Sequence, residues 1–197
     1  VVLPNRGRPS SNTIASLLRS LVTTNIRVLE FENTELPVPL PPEIGLLSSL
    51  EELRIIKCGL KKLPNTIGFL SKLKILNLAG NYLTQLPDAF ALLTNLVKVS
   101  VRDNEGLADL PLSLVQSEKL KVCMTQKCSL KALGGLPSEV KKDNTGEKLL
   151  GYMRGLYKGK RYVNRCKLMF VGDGNVGKTS LVSSLKKLVS YGKKSSK

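Results

Sequence analysis

Apolar residues recur at a fixed interval along most of the chain, and this recurrence constrains the fold more than any other feature. Five segments carry an apolar or small residue at their first, fourth and sixth positions. They begin at Ile26, Leu50, Leu73, Leu96 and Leu120, so successive segments start 24, 23, 23 and 24 residues apart. A unit of this length cannot bury its own apolar face, so like units must stack and share one continuous core. The interval therefore predicts a solenoid.

The segments fit the pattern L-x-x-L-x-L-x-x-N/C, which is typical of leucine-rich repeats. Residues 73–81, "LKILNLAGN", fit in full, residues 50–58 and 96–104 fit closely, and residues 26–34 and 120–128 are weaker copies. Most copies are followed by L-x-x-L-P, as at Leu60, Leu63 and Pro64. The proline blocks extension of the strand and predicts a convex return with little regular helix. The predicted fold class is thus α/β, with about five repeats of 23–24 residues over residues 26–140.

The ninth position of each repeat is expected to hold a small polar side chain that bonds to the backbone of adjacent turns. Cys58 and Cys128 occupy this position three repeats apart. At about 4.8 Å per stacked strand they would lie roughly 14 Å apart, which is too far for a disulfide bond. The chain has no histidine and no C-x-x-C pair, which argues against a zinc site. We therefore predict structural, reduced cysteines.

Alternate residues of each strand should face the concave side, the usual binding surface of such solenoids. They are Val28, Glu30, Glu32, Glu52, Arg54, Ile56, Ile75, Asn77, Ala79, Lys98, Ser100, Arg102, Val122, Met124 and Gln126. The row runs from acidic at the first strand to basic in the middle and includes a few apolar groups. Such a mixed face fits a protein or peptide partner, although a short array that acts only as a spacer is the alternative.

Both ends of the array carry amphipathic segments. Residues 12–22 place Ile14, Leu17, Leu18 and Leu21 on one helical face, with Ser11 or Asn12 as the N-cap. Residues 1–25 are therefore either an N-terminal cap or part of a preceding repeat. Residues 141–163 are predicted to be a capping and linker helix with Leu149, Met153, Leu156 and Tyr157 on one face and Asn144 and Glu147 at capping-box spacing.

The positive charge of the chain is concentrated near its C-terminal end. The formal net charge is +16. Residues 141–197 contribute +12, from 15 Lys and Arg against 3 Asp and Glu. A basic surface attracts phosphates, but aromatic residues are not interleaved with these charges, so no DNA or RNA partner is expected. The sequence has no apolar run long enough to span a membrane, no signal peptide and no initiator Met, so we expect a cytoplasmic fragment.

Residues 172–179, "GDGNVGKT", fit the phosphate-binding motif G-x-x-x-x-G-K-[ST], between a strand-like "CKLMFV" and a helix-like segment. Glycines allow the backbone amides to approach a phosphate, Lys178 reaches the β- and γ-phosphates, and Thr179 offers its hydroxyl to Mg²⁺. The predicted nucleotide-binding residues are Gly172, Asp173, Gly174, Asn175, Val176, Gly177, Lys178, Thr179 and Ser180, with Thr179 as the metal ligand. The pattern predicts the first β-strand, P-loop and α-helix of a P-loop domain.

Leucine-rich repeats followed by a helix and by "NRCKLMFVGDGNVGKTSL" resemble the ROCO family. In that family the repeats precede a Ras-like Roc GTPase domain, a COR dimerisation domain and, in some members, a kinase. The resemblance implies that residues 164–197 begin an incomplete Roc domain and that residues 172–179 bind GTP or GDP with Mg²⁺. It also implies dimerisation through domains absent from this sequence. No D-x-x-G or guanine-reading N-K-x-D motif follows Thr179, so this fragment is not expected to be catalytic.

Three functions remain open at this point. The first is a GTP-binding regulatory protein of ROCO type whose repeats bind protein partners. The second is a leucine-rich-repeat interaction module without nucleotide function. The third is the N-terminal piece of a ROCO serine/threonine protein kinase.

Overall fold

Five parallel strands form one continuous sheet in the computed structural model, which describes residues 9–130 and 136–157. The strands are β1 (Val28–Glu32), β2 (Glu52–Ile56), β3 (Ile75–Asn77), β4 (Lys98–Ser100) and β5 (Val122–Met124). Each strand pairs with the next one in sequence, and equivalent repeat positions lie opposite each other, so that Leu53 pairs with Leu76 and Leu76 with Val99. The repeat array predicted from the apolar interval is confirmed, and the two weaker copies supply β1 and β5.

The return after each of the first four strands contains a single 3₁₀ turn. These turns span Pro42–Leu46, Asn65–Phe69, Asp88–Leu92 and Leu112–Gln116, and an extended proline precedes each of them. The turns stack closely on the convex side. A Cβ placed on Gly45 would lie 2.4 Å from the carbonyl oxygen of Thr66, and one on Gly68 would lie 2.6 Å from that of Ala89. Glycine is therefore required at both contacts, and the predicted non-helical return is confirmed.

One hydrophobic core runs through the whole array. The inward-facing strand residues Leu53, Leu76, Val99 and Cys123 are completely buried, and so are the return residues Ile67 and Leu70. At about 25 cal/mol per Å² of apolar surface, burying each such side chain stabilises the fold by roughly 1.5–3 kcal/mol before entropic costs. Because the core is shared, each repeat depends on its neighbours for this burial.

A row of polar side chains links successive repeats at the ninth repeat position. Cys58, Asn81, Asn104 and Cys128 each donate a hydrogen bond to a carbonyl of the preceding repeat, namely those of Phe31, Ile55, Leu78 and Val101. Asn81 also accepts from the backbone N–H groups of Cys58 and Leu60, at 3.0 and 3.1 Å. An asparagine thus satisfies both donors and acceptors of its neighbour, whereas a cysteine only donates. The predicted ladder role of these residues is confirmed.

The chain leaves each strand through a left-handed residue directly before the ladder position. These residues are Asn33, Lys57, Gly80, Asp103 and Lys127, with φ between 49° and 68°. Their N–H groups help to join the repeats: that of Lys57 donates to Ala79, and that of Gly80 to Arg102. The turn out of each strand therefore lies one residue before the ladder residue, not at it.

The three described cysteines are free thiols, as predicted. Burial raises the pKa of the Cys123 thiol to about 12 and also raises the pKa values of Cys58 and Cys128. These groups are therefore neutral at physiological pH and act as structural side chains.

Helix α1 (Ser11–Leu21) closes the N-terminal side of the convex layer. It lies beside the turn at Pro42–Leu46, and Arg19 forms an ion pair with Glu43 at 2.5 Å. Ile14 and Leu18 are fully buried, whereas Leu17 and Leu21 are only partly buried against the core. The N-cap is Ser10, whose hydroxyl accepts from the N–H of Thr13 at 3.1 Å. The predicted caps, Ser11 and Asn12, are instead the first two residues of the helix.

Two helices, α2 (Ser138–Lys141) and α3 (Glu147–Tyr157), follow the last repeat. Helix α3 buries Leu149, Leu150 and Met153. The apolar face predicted for this helix was partly wrong, because two of its members, Leu156 and Tyr157, are 43% and 47% exposed. The predicted cap was also wrong: Asp143, not Asn144, accepts from the N–H groups of Thr145 and Lys148. These bonds, with the Thr145 side chain contributing most, lower the pKa of Asp143.

Side-chain hydrogen bonds fix α3 on the last repeat. A guanidinium nitrogen of Arg154 donates to the carbonyl of Leu120 at 2.6 Å, and the amide of Gln126 donates to the carbonyl of Asn144 at 2.6 Å. Gly146 lets the chain approach β5: it has φ 78°, and a Cβ there would lie 1.8 Å from the carbonyl oxygen of Cys123. Helix α3 therefore packs on the C-terminal end of the repeat core.

Replacing Asn81 with alanine tests the ladder. Asn81→Ala removes the acceptor of two buried N–H groups, those of Cys58 and Leu60, and a donor to the carbonyl of Ile55. We therefore expect a loss of about 3 kcal/mol in the free energy of unfolding. Urea denaturation would measure it. The matched control is Asn65→Ala at an exposed position, where the change should stay within about 0.5 kcal/mol. Equal effects of the two substitutions would contradict the ladder's role.

Two glycines at the C-terminal cap should respond in opposite directions to the same substitution. Gly146→Ala combines a left-handed backbone with a backbone clash and should cost more than about 1 kcal/mol. Gly151 lies inside α3 with open space around it. Gly151→Ala should therefore stabilise the protein by about 0.5–1 kcal/mol. Thermal unfolding of both variants checks the contrast, and a shift of the same sign in both would refute the account of the cap.

Candidate functional site

The outward-facing residues of the five strands form aligned rows on the concave surface. The register places Val28, Glu52, Ile75, Lys98 and Val122 in one row. A second row contains Glu30, Arg54, Asn77, Ser100 and Met124. Neighbouring members of a row stand on strands that are about 4.8 Å apart. The structure therefore brings the predicted interaction residues together on one face.

Arg54 is held at the acidic end of this face by two carboxylates. Its guanidinium lies 2.7 Å from Glu52 on the same strand and 3.7 Å from Glu30 on β1. These contacts, with the hydrogen bond to Glu52 as the larger cause, raise the pKa of Arg54. Glu52 and Arg54 thus neutralise each other, and Glu32 at the end of β1 adds exposed negative charge at this edge.

The other half of the face carries positive charge with weaker partners. Lys98 on β4 forms no ion pair with any residue in the described ranges. Arg102 reaches Asp103 only at 3.9 Å, and Asp103 is engaged more closely by Lys127, at 2.9 Å. The hydrogen bond to Asp103 raises the pKa of Lys127. The predicted change from acidic to basic along the face is therefore present in the ion pairs as well as in the sequence.

A hollow of about 260 Å³ opens at the centre of the concave face. Its lining residues are Glu52, Arg54, Ile75, Leu76, Asn77, Lys98, Ser100, Arg102 and Met124. Half-buried Ile75 and Met124 give it apolar surface. The hollow is therefore both charged and apolar, a combination found in surfaces that bind protein segments.

Two predicted concave residues are buried rather than available to a partner. Ala79 is 3% exposed and Ser100 is 4% exposed. Both side chains are short and are therefore less accessible than their longer neighbours on the same face. The hydroxyl oxygen of Ser100 is the only buried side-chain nitrogen or oxygen without a hydrogen-bond partner among the residues that the structure describes.

The convex side carries a feature that the sequence analysis missed. Val22, Leu46, Phe69 and Leu92 occupy equivalent positions 23 or 24 residues apart, and all are between 44% and 61% exposed. In the last return the equivalent residue is Gln116, whose amide donates to the Tyr157 hydroxyl at 2.7 Å. The repeat interval alone is sufficient to find this stripe, although its positions face neither the core nor the concave side.

The predicted nucleotide-binding residues, Gly172 to Ser180, lie outside the described residues. Within residues 9–130 and 136–157 there is no cluster of metal-ligating side chains and no helix that could cross a membrane. A larger hollow, of about 420 Å³, lies between the last repeat and α2. Its lining includes Leu130 and Leu136, and we assign no function to it.

Comparisons with known proteins agree with this fold. A family model described as Leucine Rich Repeat matches residues 72–93, which include β3 and its return. The chain is similar to a solved leucine-rich-repeat protein of Leptospira interrogans, with 29% identity and a TM-score of 0.51. That match covers 64% of this chain and 29% of the Leptospira chain. The fold is therefore of leucine-rich-repeat type.

A second solved structure is the leucine-rich repeat domain of the type III effector XopL. It is 28% identical, and the match covers 57% of this chain and 40% of the XopL chain, with a TM-score of 0.49. This chain thus spans well under half the length of both solved chains. No curated protein matches the sequence significantly.

Proposed function

We propose that the concave face of the repeats binds a protein partner. One observation carries the proposal: residues from five successive strands present charged and apolar side chains in aligned rows around an open hollow. An extended segment of a partner would cross several strands and contact the same row on each of them. The 260 Å³ hollow is shallow and partly lined by charged groups, which suits a protein segment better than a deeply buried small molecule.

The nearly constant length of the repeats supports this function physically. Because stacking fixes the spacing of the strands, the rows form an ordered platform before a partner binds. Rigid platforms lose little conformational entropy when they bind, so more of the contact energy appears as affinity. The leucine-rich-repeat array therefore has the properties of a protein-interaction module.

We further propose that the P-loop binds GTP or GDP with Mg²⁺, as in the ROCO-type regulatory proteins that the sequence resembles. The support is the motif at residues 172–179 with its strand-like and helix-like flanks. In this proposal the backbone amides of the loop and Lys178 hold the phosphates, and Thr179 ligates the metal. The repeats would recruit partners and the nucleotide would regulate the protein, which we place in the cytoplasm.

Site-specific photo-cross-linking tests the concave interface. Benzoylphenylalanine placed at Val122, on the concave face, should cross-link a partner in cell extract, whereas the same group at Phe69, on the convex stripe, should not. Mass spectrometry identifies the product and the cross-linked peptide. Cross-links that form only from Phe69 would refute the concave assignment.

A purified partner then allows a quantitative comparison. Ile75→Glu removes apolar surface from the floor of the concave hollow and places a carboxylate directly opposite Lys98, which it would engage. Binding should weaken at least about tenfold. Phe69→Glu makes the same chemical change on the convex side and should leave the dissociation constant unchanged. Urea denaturation of both variants shows that the difference does not come from unfolding.

Phosphorus NMR of GDP tests the proposed nucleotide site. Phosphate contacts without guanine contacts should give these 197 residues a dissociation constant no lower than about 1 mM, or ~4 kcal/mol. Exchange broadening of the GDP resonances, dependent on Mg²⁺, detects such weak binding. Lys178→Ala should abolish the broadening, and Lys187→Ala, outside the motif, should preserve it. Identical spectra for the two variants would contradict the proposal.

A further inference from the structure

The basic half of the concave face contains a polar subsite centred on Ser100. This serine is 96% buried, on β4, and its side chain lines the central hollow. Its hydroxyl has no hydrogen-bond partner among the described residues. Leaving a buried hydroxyl unpaired costs about 1–3 kcal/mol, so native structures rarely keep one without a reason.

The groups around this hydroxyl are almost all hydrogen-bond donors. The carbonyl oxygen of the Asn77 side chain already accepts from the N–H of Ala79, which leaves its NH₂ group free to donate. Lys98 contributes an ammonium group without an ion pair in the described ranges, and Arg102 contributes a weakly held guanidinium. Glu52 provides the one carboxylate among the lining residues, and its oxygen forms an ion pair with a guanidinium nitrogen of Arg54 at 2.7 Å.

A lining of donors and positive charges requires a ligand that accepts hydrogen bonds and carries negative charge. We propose that this subsite binds the carboxylate of an aspartate or glutamate in an extended segment of the partner protein. The carboxylate would accept from the Ser100 hydroxyl and the Asn77 amide and would pair with Lys98 and Arg102. Ile75 and Met124 would contact the aliphatic part of the same segment. The inference rests on the proposed function of the concave face and names the chemistry of its partner.

Access to the hydroxyl requires a small rearrangement. The oxygen is covered in the unbound protein, and Met124 stands opposite Ser100 in the β4–β5 register. Methionine has an unbranched, flexible side chain that adapts to different occupants. Rotation of Met124 would open the hydroxyl to the carboxylate without moving the strands.

The charge pattern also sets the direction of the bound segment. The subsite lies over β3 to β5, whereas the acidic residues Glu30 and Glu32 lie on β1, and only Glu30 of the two is paired with Arg54. A segment with acidic residues at the subsite and a basic residue toward Glu32 would match both ends. The reverse orientation would place like charges together at each end.

Fluorescence anisotropy with synthetic peptides tests this subsite directly. The probes are a fluorescein-labelled twelve-residue peptide of alternating Glu and Thr and the same peptide with Gln in place of Glu. The Glu peptide should bind at least about tenfold more tightly than the Gln peptide. Added salt should weaken the Glu peptide more strongly than the Gln peptide. Equal affinities for the two peptides would overturn the proposal.

Ser100→Ala separates binding from folding. Removing an unpaired buried hydroxyl should leave the unfolding midpoint unchanged or raise it, but it should weaken the Glu peptide about tenfold, because a hydrogen bond to a carboxylate is lost. Ser48→Ala, at an exposed convex position, is the matched control and should change neither quantity. Lys98→Glu should weaken the Glu peptide further, whereas Lys62→Glu, in the loop after β2, should not. Unchanged affinity in both Ser100→Ala and Lys98→Glu would refute the subsite.

The two proposals can fail separately. If the partner cross-links from Val122 but Ser100→Ala and Lys98→Glu bind the Glu peptide normally, the concave interface stands and the carboxylate subsite is wrong. If the partner cross-links only from Phe69, the concave interface itself is wrong, whatever the peptides do.

Discussion

The structure depends on hydrogen bonds that cross from each repeat to the one before it. Strand pairing supplies part of this network, but strands of three residues, such as β3, β4 and β5, provide few pairs each. The ladder side chains add bonds where the strands end: Asn81 and Asn104 donate to carbonyls of the preceding repeat, those of Ile55 and Leu78. A solenoid whose units are too small to fold alone needs such bonds, because apolar burial is non-directional and does not fix the register between units.

The same arrangement explains why function is placed on the concave side. Inward-facing strand residues are committed to the core and ladder residues to the backbone. The left-handed residues between them are committed to the turn, which leaves the outward strand positions free to vary in chemistry. Because the strands pair in register, residues that are about 23 positions apart in the sequence lie next to each other on this surface. The neutralised Arg54 region and the basic region around Lys98 are two outcomes of this freedom on one scaffold.

The sequence was sufficient to predict the repeats, because apolar residues that recur every 23–24 residues can all be buried together only if the repeats stack. The sequence was less informative where several neighbouring residues could serve as the helix cap. Ser10, Ser11 and Asn12 are all residue types that favour the N-cap position, and the structure uses Ser10. Asp143 and Asn144 present the same ambiguity before α3. Lys57 and Asp103 adopt left-handed backbone conformations that glycine would adopt more readily. Their residue types therefore do not predict this conformation.

The candidate site was likewise predictable from the sequence only in part. The identities of the concave residues followed from strand alternation, since side chains alternate between the two faces. The burial of Ser100 did not, because it depends on the side chains that cover it, and these come from neighbouring repeats as well as its own. The motif at residues 172–179 lies outside the described residues, so its nucleotide assignment remains a proposal that rests on the sequence alone.

The absence of a side chain at Gly45 and Gly68 affects the curvature of the solenoid. Strand spacing on the inner side is fixed by hydrogen-bond length, so the bend of the solenoid is set by how far apart the outer turns stand. Even one methyl group at either glycine would wedge two outer turns apart and tighten the bend. Residues on the far side of the protein thus determine the radius of the groove that a bound segment must follow, without touching it.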